Sequence, residues 1–168
     1  MGRADEERRM IDRSTQDVRI SAIDRLKTPA ELASLCPIPE ECAARIREYR
    51  KTVNSIIKGE DERLLAIIGP CSIHDPKAAI EYAHRLKELA EKVSDTFFVV
   101  MRTYFEKPRT ALGWKGLIID PDMDESCDIE KGLMIARSLL IDINGIGLPV
   151  GCEVLDPIVP QYTDELMS

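Results

Sequence analysis

The sequence lacks a long apolar segment and any regular pattern of cysteines. No apolar run approaches the roughly 20 residues that a membrane-spanning helix needs. The first residues have no apolar core of the kind that signal peptides carry. The five cysteines are an odd number with wide, irregular spacing, which fits neither a disulfide framework nor a zinc ribbon. We therefore expect a cytoplasmic protein with reduced thiols and no membrane contact.

Positive charge is also scarce. Lysine and arginine together number 23 against 30 aspartates and glutamates, which gives a net charge of −7. A nucleic acid or an anionic membrane surface would require a basic face, so we expect neither as a partner. The length of 168 residues suits a single domain with a substantial core.

Apolar runs alternate with helical patterns along the chain. The apolar runs predict strands over residues 64–69, 97–101 and 148–154. Apolar residues spaced three and four apart predict helices over residues 40–58, 76–93 and 128–143. Gly59 and Asn144-Gly145 are the predicted ends of the first and last helices. This alternation favours an α/β fold with parallel strands and right-handed crossovers. Because the first run has no polar break, it predicts a strand buried on both faces.

The chain divides into three predicted parts. Residues 1–16 carry charges of both signs with little to bury, which predicts a mobile arm. Residues 17–60 form an N-terminal extension that contains the first helix, and residues 61–168 contain the strands. Three parallel strands leave two open edges and two faces to cover. We therefore expect the sheet to be incomplete.

Reactive side chains follow the first strand directly. The segment reads Gly69-Pro70-Cys71-Ser72-Ile73-His74-Asp75-Pro76, and Asp75-Pro76 is a helix-start signal. Cys71 and His74 are therefore expected on a loop at the carboxyl end of a strand, where α/β folds place ligands and catalytic groups. The alternatives are that Cys71 is a small core residue and that His74 is a capped or packed histidine. Glu153, at the end of the third strand, could orient a water or pair with Arg102 or Lys107.

A cationic cluster follows the second strand. Its members give a local charge of +3 in this acidic chain, counted as four cations (Arg102, Lys107, Arg109 and Lys115) minus one anion (Glu106). Arginine offers a bidentate fork and lysine a mobile point charge, so the cluster suits phosphate or carboxylate groups. A solvated loop with surface salt bridges is the alternative. The strand-end position, with proline, glycine and tryptophan flanking it, favours the functional interpretation.

Several long motifs in order resemble one enzyme family. They are Ile68–Pro76, Met101–Thr110, Gly113–Leu117, Asp120-Pro121, Leu139-Leu140 with Asp142-Ile143, Gly147-Leu148-Pro149 and Pro160-Gln161-Tyr162. Together they resemble the first class of 3-deoxy-D-arabino-heptulosonate 7-phosphate synthases, which open the shikimate pathway of aromatic amino acid biosynthesis. The resemblance extends from about Asp17 to Ser168.

The resemblance implies a fold and a reaction. The family has a (β/α)8 TIM barrel with an N-terminal extension, of which this chain would contain about the first three βα units. It condenses phosphoenolpyruvate with D-erythrose 4-phosphate and uses a divalent metal. A site that mixes one thiolate with harder ligands is compatible with manganese, iron, cobalt or zinc.

The resemblance also implies residue roles. Cys71 would be a metal ligand, and Arg102 and Lys107 would bind phosphoenolpyruvate. The erythrose phosphate and its aldehyde end would lie on Lys107, Pro108, Arg109 and Thr110. Glu153 would line the site near the attacked carbon. The candidate catalytic residues are thus Lys107, Glu153 and His74.

Regulation and assembly are implied as well. The arm around Asp17, together with Pro160 and Gln161, matches the place where family members build a subunit interface and an aromatic amino acid feedback site. An aromatic amino acid inhibitor and a homo-oligomer are therefore expected.

Family members are about twice as long as this chain, and their remaining metal ligands lie in the second half. We therefore interpret the chain as an N-terminal fragment of such a synthase, inactive alone. The alternative is a truncated, catalytically inactive paralogue that acts as a binding or interaction module.

Overall fold

A computed structural model describes residues 18–20, 23–107 and 112–168, and the predicted arm over residues 1–16 lies outside these ranges. The elements in chain order are α1 (Pro29–Leu35), α2 (Glu40–Lys58), β1 (Leu64–Ile68), α3 (Pro76–Lys92), β2 (Phe97–Arg102), α4 (Ile129–Ile146), β3 (Val150–Gly151) and α5 (Pro160–Thr163), followed by a 3-10 turn at Asp164–Leu166. The protein is thus α/β, as predicted.

The three strands form one parallel sheet in the order β1-β2-β3. Leu64 to Ile68 of β1 pair in register with Phe97 to Met101 of β2, and Arg102 at the end of β2 pairs with Gly151. Because all strands run in one direction, the residues that follow them meet at the same edge of the sheet. The candidate site residues lie at this edge.

The two faces of the sheet differ, because side chains alternate along a strand. Val99, Met101 and Val150 belong to the buried core that α3 and α4 complete. On the other face lies a cavity of about 420 Å³. Its lining comes from the strands (Leu65, Ile67, Val100 and Arg102), the loop after β2 (Phe105, Glu106 and Ile118), Val53 of α2, and parts of residues 151–155 and 159–168. Ile67 on this face is 59% exposed, so helices cover it only in part.

The prediction that the first strand is buried on both faces is wrong. Leu64 and Ile67 are each 59% exposed, although their run of five apolar residues is unbroken. The reason is that β1 is an edge strand, and that Ile67 faces the partly covered side of the sheet. An unbroken apolar run predicts a strand that is buried on both faces of a complete sheet. Among the described residues, however, β1 has a neighbouring strand on one side only.

The third strand is shorter than predicted, and the helix before it is longer. β3 spans two residues because it pairs only with Met101 and Arg102, after which the chain leaves the sheet. Helix α4 continues past the predicted stop at Asn144-Gly145 to Ile146. It does so because Asn144 is fully buried and its Nδ2 donates to the carbonyls of Leu140 and Leu166. The left-handed residue that ends the helix is Gly147, with φ 93°.

Local signals placed other helix ends correctly. Helix α2 ends at Gly59, with φ 74°, and the Asp75 side chain accepts hydrogen bonds from the amides of Lys77 and Ala78 at the start of α3. Helix α1 was not predicted from the sequence. It begins with a capping box in which Thr28 and Glu31 bond each other's backbone amides.

The extension before β1 packs against the later part of the chain. The Tyr162 hydroxyl donates to the carbonyl of Lys27 at 2.8 Å, and Arg137 Nε donates to the carbonyl of Cys36 at 2.8 Å. Lys27 also pairs with Glu130 at the start of α4. These contacts place α5 against the extension. Within the described part of the chain, no helix is both long and apolar enough to span a membrane.

Candidate functional site

Arg102 is the centre of the candidate site. It ends β2, and its guanidinium Nη1 donates to the carbonyls of Pro70 at 2.6 Å and Cys71 at 2.9 Å. Its Nε donates to Glu153 Oε1 at 2.7 Å, so the guanidinium joins the ends of all three strands. The guanidinium carbon lies over the Tyr104 ring, 4.7 Å from the centroid. These contacts fix the orientation of the charge at the sheet edge.

Gly69 permits the close approach of β1 and β2 at this point. A Cβ at Gly69 would overlap the carbonyl oxygen of Arg102 and lie 2.8 Å from its Cβ. Only glycine therefore fits between the end of β1 and the residue that carries the guanidinium. This explains a glycine immediately before Pro70-Cys71 in physical terms.

Cys71 and Lys107 meet across the site. Lys107 Nζ lies 2.9 Å from Cys71 Sγ, and the thiol is exposed. The hydrogen bond from Lys107 and its positive charge lower the pKa of Cys71 below the ordinary 9.0. The thiolate, which is the form that binds metals and reacts with electrophiles, is therefore favoured at this position.

Lys107 belongs to an antiparallel pairing after β2, between residues 104–107 and 112–117, which we call the β2 hairpin. Its amide donates to the Lys115 carbonyl at 2.9 Å, and Glu106 and Gly116 form an isolated antiparallel bridge. The Tyr104 carbonyl accepts the Ile73 amide at 2.7 Å, which ties the hairpin to the loop after β1. Three predicted substrate-binding residues, Pro108, Arg109 and Thr110, lie outside the described residues.

Glu153 and His74 have different surroundings. Glu153 follows β3, and Arg102 Nη2 lies 2.6 Å from its Oε1, so the pairing with Arg102 is the alternative that the structure contains. His74 is exposed, and its ring meets the Trp114 ring edge-on, with centroids 6.5 Å apart. The structure therefore groups Cys71, Arg102, Lys107 and Glu153, and places His74 beside the β2 hairpin.

The predicted regulatory residues lie on a neighbouring segment. Pro160 begins α5 and lines the cavity on the open face of the sheet. The side-chain amide of Gln161 donates to the Pro157 carbonyl at 2.8 Å. Asp17, the third predicted regulatory residue, lies outside the described residues.

A metal ion would find only one clear ligand here. The exposed, lysine-paired thiol of Cys71 fits a metal that accepts sulfur. Across residues 18–20, 23–107 and 112–168, however, no group of three or more histidine, cysteine, aspartate or glutamate side chains is arranged to hold a metal. The described residues therefore fit one position of a metal site and do not complete it.

Two acidic residues at the site were missed in the sequence. Burial, and then the charge of nearby Asp156, raises the pKa of Glu106 in the β2 hairpin above the ordinary 4.5. In the sequence, Glu106 is the one anion among four cations of the cationic cluster. The interaction of Glu106 with Asp156 joins segments 50 residues apart, so no local pattern indicates it.

Known proteins resemble this chain over most of its length. The family model described as DAHP synthetase I family matches residues 36–168. The phospho-2-dehydro-3-deoxyheptonate aldolase of Amycolatopsis methanolica is 49% identical over 158 residues, covering 94% of this chain and 78% of that protein. The Phe-sensitive enzyme of that name from Escherichia coli is 55% identical over 152 residues, covering 90% of this chain and 43% of that protein.

A solved structure with the same enzyme name is also similar to this chain. The structure of phospho-2-dehydro-3-deoxyheptonate aldolase from Francisella tularensis SCHU S4 superposes with a TM-score of 0.84 and 47% sequence identity, covering 88% of this chain and 43% of that one. The chain belongs to the DAHP synthetase I family, as the motifs predicted. It spans less than half the length of the Escherichia coli and Francisella relatives.

Proposed function

We propose that this chain contributes the first part of a (β/α)8 TIM barrel to a 3-deoxy-D-arabino-heptulosonate 7-phosphate synthase. In this proposal residues 17–60 are the N-terminal extension, and residues 61–168 contain the first three βα units. Three observations support it. The strands are all parallel, β1 and β3 are edge strands among the described residues, and the apolar face of the sheet that carries Ile67 is partly exposed. The Ser168 amide donates to the Val150 carbonyl at 2.9 Å, which places the chain end beside β3.

The proposed reaction is the condensation of phosphoenolpyruvate with D-erythrose 4-phosphate in the cytoplasm. The observation that carries this proposal is the convergence of Arg102 and Lys107 beside Cys71 and Glu153 at one sheet edge. Both substrates are anionic, so cations at close quarters are needed to offset their mutual repulsion. Arg102 is held rigidly by three strand ends, and Lys107 lies on the β2 hairpin.

Each residue has a proposed role. Arg102 and Lys107 bind the phosphate and carboxylate of phosphoenolpyruvate, and Lys107 with Pro108, Arg109 and Thr110 binds the erythrose phosphate. Glu153 orients the guanidinium of Arg102 and, with Lys107 and His74, serves the acid-base steps near the attacked carbon. Glu153 forms an ion pair with Arg102, which suits a role in orienting a water.

Cys71 is proposed as one ligand of a divalent metal (manganese, iron, cobalt or zinc). When bound, such an ion supplies Lewis-acid polarisation of the aldehyde. This chain contributes a thiol that Lys107 already biases toward the thiolate. The described residues form no complete site, so the isolated chain should not turn over its substrates.

Regulation is proposed at Asp17, Pro160 and Gln161, with an aromatic amino acid as inhibitor and a homo-oligomer as the assembly. Relatives of this chain are named Tyr-sensitive, Trp-sensitive and Phe-sensitive. A second candidate function is a non-catalytic binding or interaction module. The observation that favours it is that the described residues place Arg102 and Lys107 at one sheet edge without a complete metal site.

The test is to titrate phosphoenolpyruvate into the purified chain at low and high salt, and to assay both substrates with added manganese. We expect weak binding that high salt abolishes, because exposed charge contacts are screened, and no turnover. Arg102→Met and Lys107→Met should remove the binding, whereas Lys92→Met, on an exposed lysine at the far end of α3, should retain it. Turnover by the chain alone would contradict the proposal of an incomplete site. Equal binding by all variants would contradict the anion site.

A further inference from the structure

The outer edge of β1 carries backbone groups that no strand receives within the described part of the chain. The Leu64 amide donates to the Thr96 carbonyl at 2.9 Å, so the backbone of Leu64 faces β2. Because backbone groups point alternately to the two sides of a strand, Ala66 also faces β2. The amides and carbonyls of Leu65 and Ile67 therefore point to the opposite side, where β1 has no neighbouring strand among the described residues.

The side chains at this edge are apolar and accessible on both faces of the sheet. Leu65 and Ile67 lie on the face that carries the cavity, and Leu64 and Ile68 lie on the other face. Leu64, Ile67 and Ile68 are all exposed. Natural edge strands are usually protected by a charge, a proline or a bulge, and the stretch from Leu64 to Ile68 has none of these. Such an edge is suited to pairing with another strand.

The order of side chains in β1 makes this edge self-complementary. The strand reads Leu64-Leu65-Ala66-Ile67-Ile68, with larger aliphatic residues on each side of the alanine. A two-fold axis places residue i opposite residue j and residue j opposite residue i. Antiparallel pairing about Ala66 therefore sets Leu65 opposite Ile67 on the cavity face. On the other face the same pairing sets Leu64 opposite Ile68, so every large apolar side chain meets an apolar partner.

We propose that two copies of this chain associate by antiparallel pairing of β1 with β1, about a two-fold axis at Ala66. Leu65 of one copy and Ile67 of the second copy form a hydrogen-bonded pair, which exchanges two backbone bonds, and the axis repeats this pair. The outward amides and carbonyls of Leu65 and Ile67 are then all satisfied. The sheets of the two copies become one continuous sheet.

Neighbouring registers fit less well. With the axis at Ile67, Leu65 would lie opposite Gly69, which offers no side chain to pack. With the axis at Leu65, Ile67 would need the amide of Arg63, which already donates to Asp61 Oδ1 at 3.0 Å. The central register alone uses the outward groups of Leu65 and Ile67 with one another.

This association goes beyond the proposed function and does not rest on it. The groups proposed to bind anions, Arg102 and Lys107, lie at the carboxyl end of β2 and on the β2 hairpin, and neither belongs to the outer edge of β1. In the proposed barrel a strand from the rest of the enzyme would occupy that edge. The pairing therefore describes the chain on its own, and substrate assays do not decide it.

Cross-linking at the axis tests the register. Opposite residues of a non-hydrogen-bonded pair have Cα atoms about 4.5 Å apart, within disulfide reach, so mild oxidation of Ala66→Cys should link two copies at residue 66. Leu64→Cys is the control, because Leu64 lies on the same face and is more exposed than Ala66, but its two copies would be roughly 13 Å apart. Peptide mass spectrometry separates these links from any made by the exposed Cys71 and Cys127. Absence of the link at residue 66, or an equal link in Leu64→Cys, would overturn the pairing.

Amide hydrogen exchange tests the unmodified chain, so it does not depend on whether a variant folds. The amides of Leu65 and Ile67 should exchange slowly at high protein concentration and fast at low concentration. The Ala66 amide, which faces β2, should be protected at both concentrations and is the internal control. Exchange at Leu65 and Ile67 that ignores protein concentration would exclude the pairing.

A proline at the edge separates this pairing from association through another surface. Ile67→Pro removes an outward amide and no bond to β2, so the ladder between β1 and β2 is retained. Sedimentation velocity should show loss of the dimer in Ile67→Pro, whereas Ile67→Val, which keeps the amide, should remain dimeric. A dimer of Ile67→Pro would show that the copies meet elsewhere and would refute the proposal.

Discussion

Lys107 Nζ and Cys71 Sγ lie 2.9 Å apart, although 36 residues separate them in the chain. The contact exists because the loops after β1 and β2 leave the same edge of a parallel sheet. It places a cation against an exposed thiol at the centre of the candidate site. This contact, the approach of Gly69 to Arg102, the bonds of Arg137 and the exposed edge of the sheet each lead to a testable prediction.

The thiols of Cys71 and Cys152 should differ strongly in reactivity. Lys107 lowers the pKa of Cys71, whereas burial raises the pKa of Cys152 to about 11. Since the thiolate is the nucleophile, iodoacetamide should alkylate Cys71 much faster than Cys152 at neutral pH. Peptide mass spectrometry over time measures both rates, with the exposed Cys127 as an internal reference.

Lys107→Met should slow the alkylation of Cys71 selectively, because the pKa of Cys71 then returns toward its ordinary value. The rate at Cys127 should not change. An unchanged rate at Cys71 in this variant would show that Lys107 does not control the thiol.

Gly69→Ala should destabilise the protein by about 1–3 kcal/mol, because the new methyl group collides with the backbone of Arg102. The matched control is Gly145→Ala in helix α4, where a Cβ meets nothing within 4 Å. Alanine there should stabilise the helix by roughly 0.5–1 kcal/mol. Urea unfolding of both variants measures the free energy of unfolding, and opposite signs are expected. Equal effects would mean that β1 and β2 do not approach as closely at Gly69 as described.

Arg137→Met should destabilise the protein by about 3 kcal/mol, because it removes a buried charge network. Arg137 is 2% exposed, and its guanidinium bonds the carbonyls of Cys36 and Tyr162 and lies 2.5 Å from Glu165. Methionine would leave both carbonyls without this donor. Thermal unfolding measures the loss.

Arg85→Met is the control for this substitution. Arg85 makes an exposed ion pair with Glu81 on the surface of α3, and such pairs contribute about 0.5 kcal/mol or less. A similar loss in both variants would contradict the structural role of Arg137.

The exposed edge and face of the sheet should make the chain self-associate. β1 presents unpaired backbone on one side, and Ile67 on the open face is 59% exposed. Ile67→Lys should therefore shift the chain toward monomer in sedimentation velocity. Ile57→Lys, on an exposed isoleucine of α2, should have a smaller effect because Ile57 is not part of the sheet. A sharply melting monomer of the unmodified chain would contradict this prediction.

Much of the candidate site could be predicted because its motifs are local. Arg102 ends a strand, Cys71, Lys107 and Glu153 follow strands, and parallel strands bring their carboxyl ends together. The roles assigned to them remain predictions, as do those of His74 and of Pro108, Arg109 and Thr110. The partners of Arg102 could not be predicted, because two of them are backbone carbonyls that only the close approach at Gly69 brings within reach.

The sequence by itself determined the elements whose signals are local. Gly59 ends α2, Asp75 begins α3, and the apolar runs at β1 and β2 define two of the three strands. These features depend on residues within one turn or one strand of each other, so a sequence pattern records them directly.

The tertiary structure decided what depends on distant partners. As an edge strand, β1 is partly exposed, and β3 is only two residues long. Helix α4 continues past Asn144 because the buried side-chain amide of Asn144 donates to the Leu166 carbonyl. The tertiary structure also brought the charge of Asp156 close enough to raise the pKa of Glu106. Burial and electrostatic interactions depend on which surfaces meet in space, and the spacing of residues along the chain does not encode that.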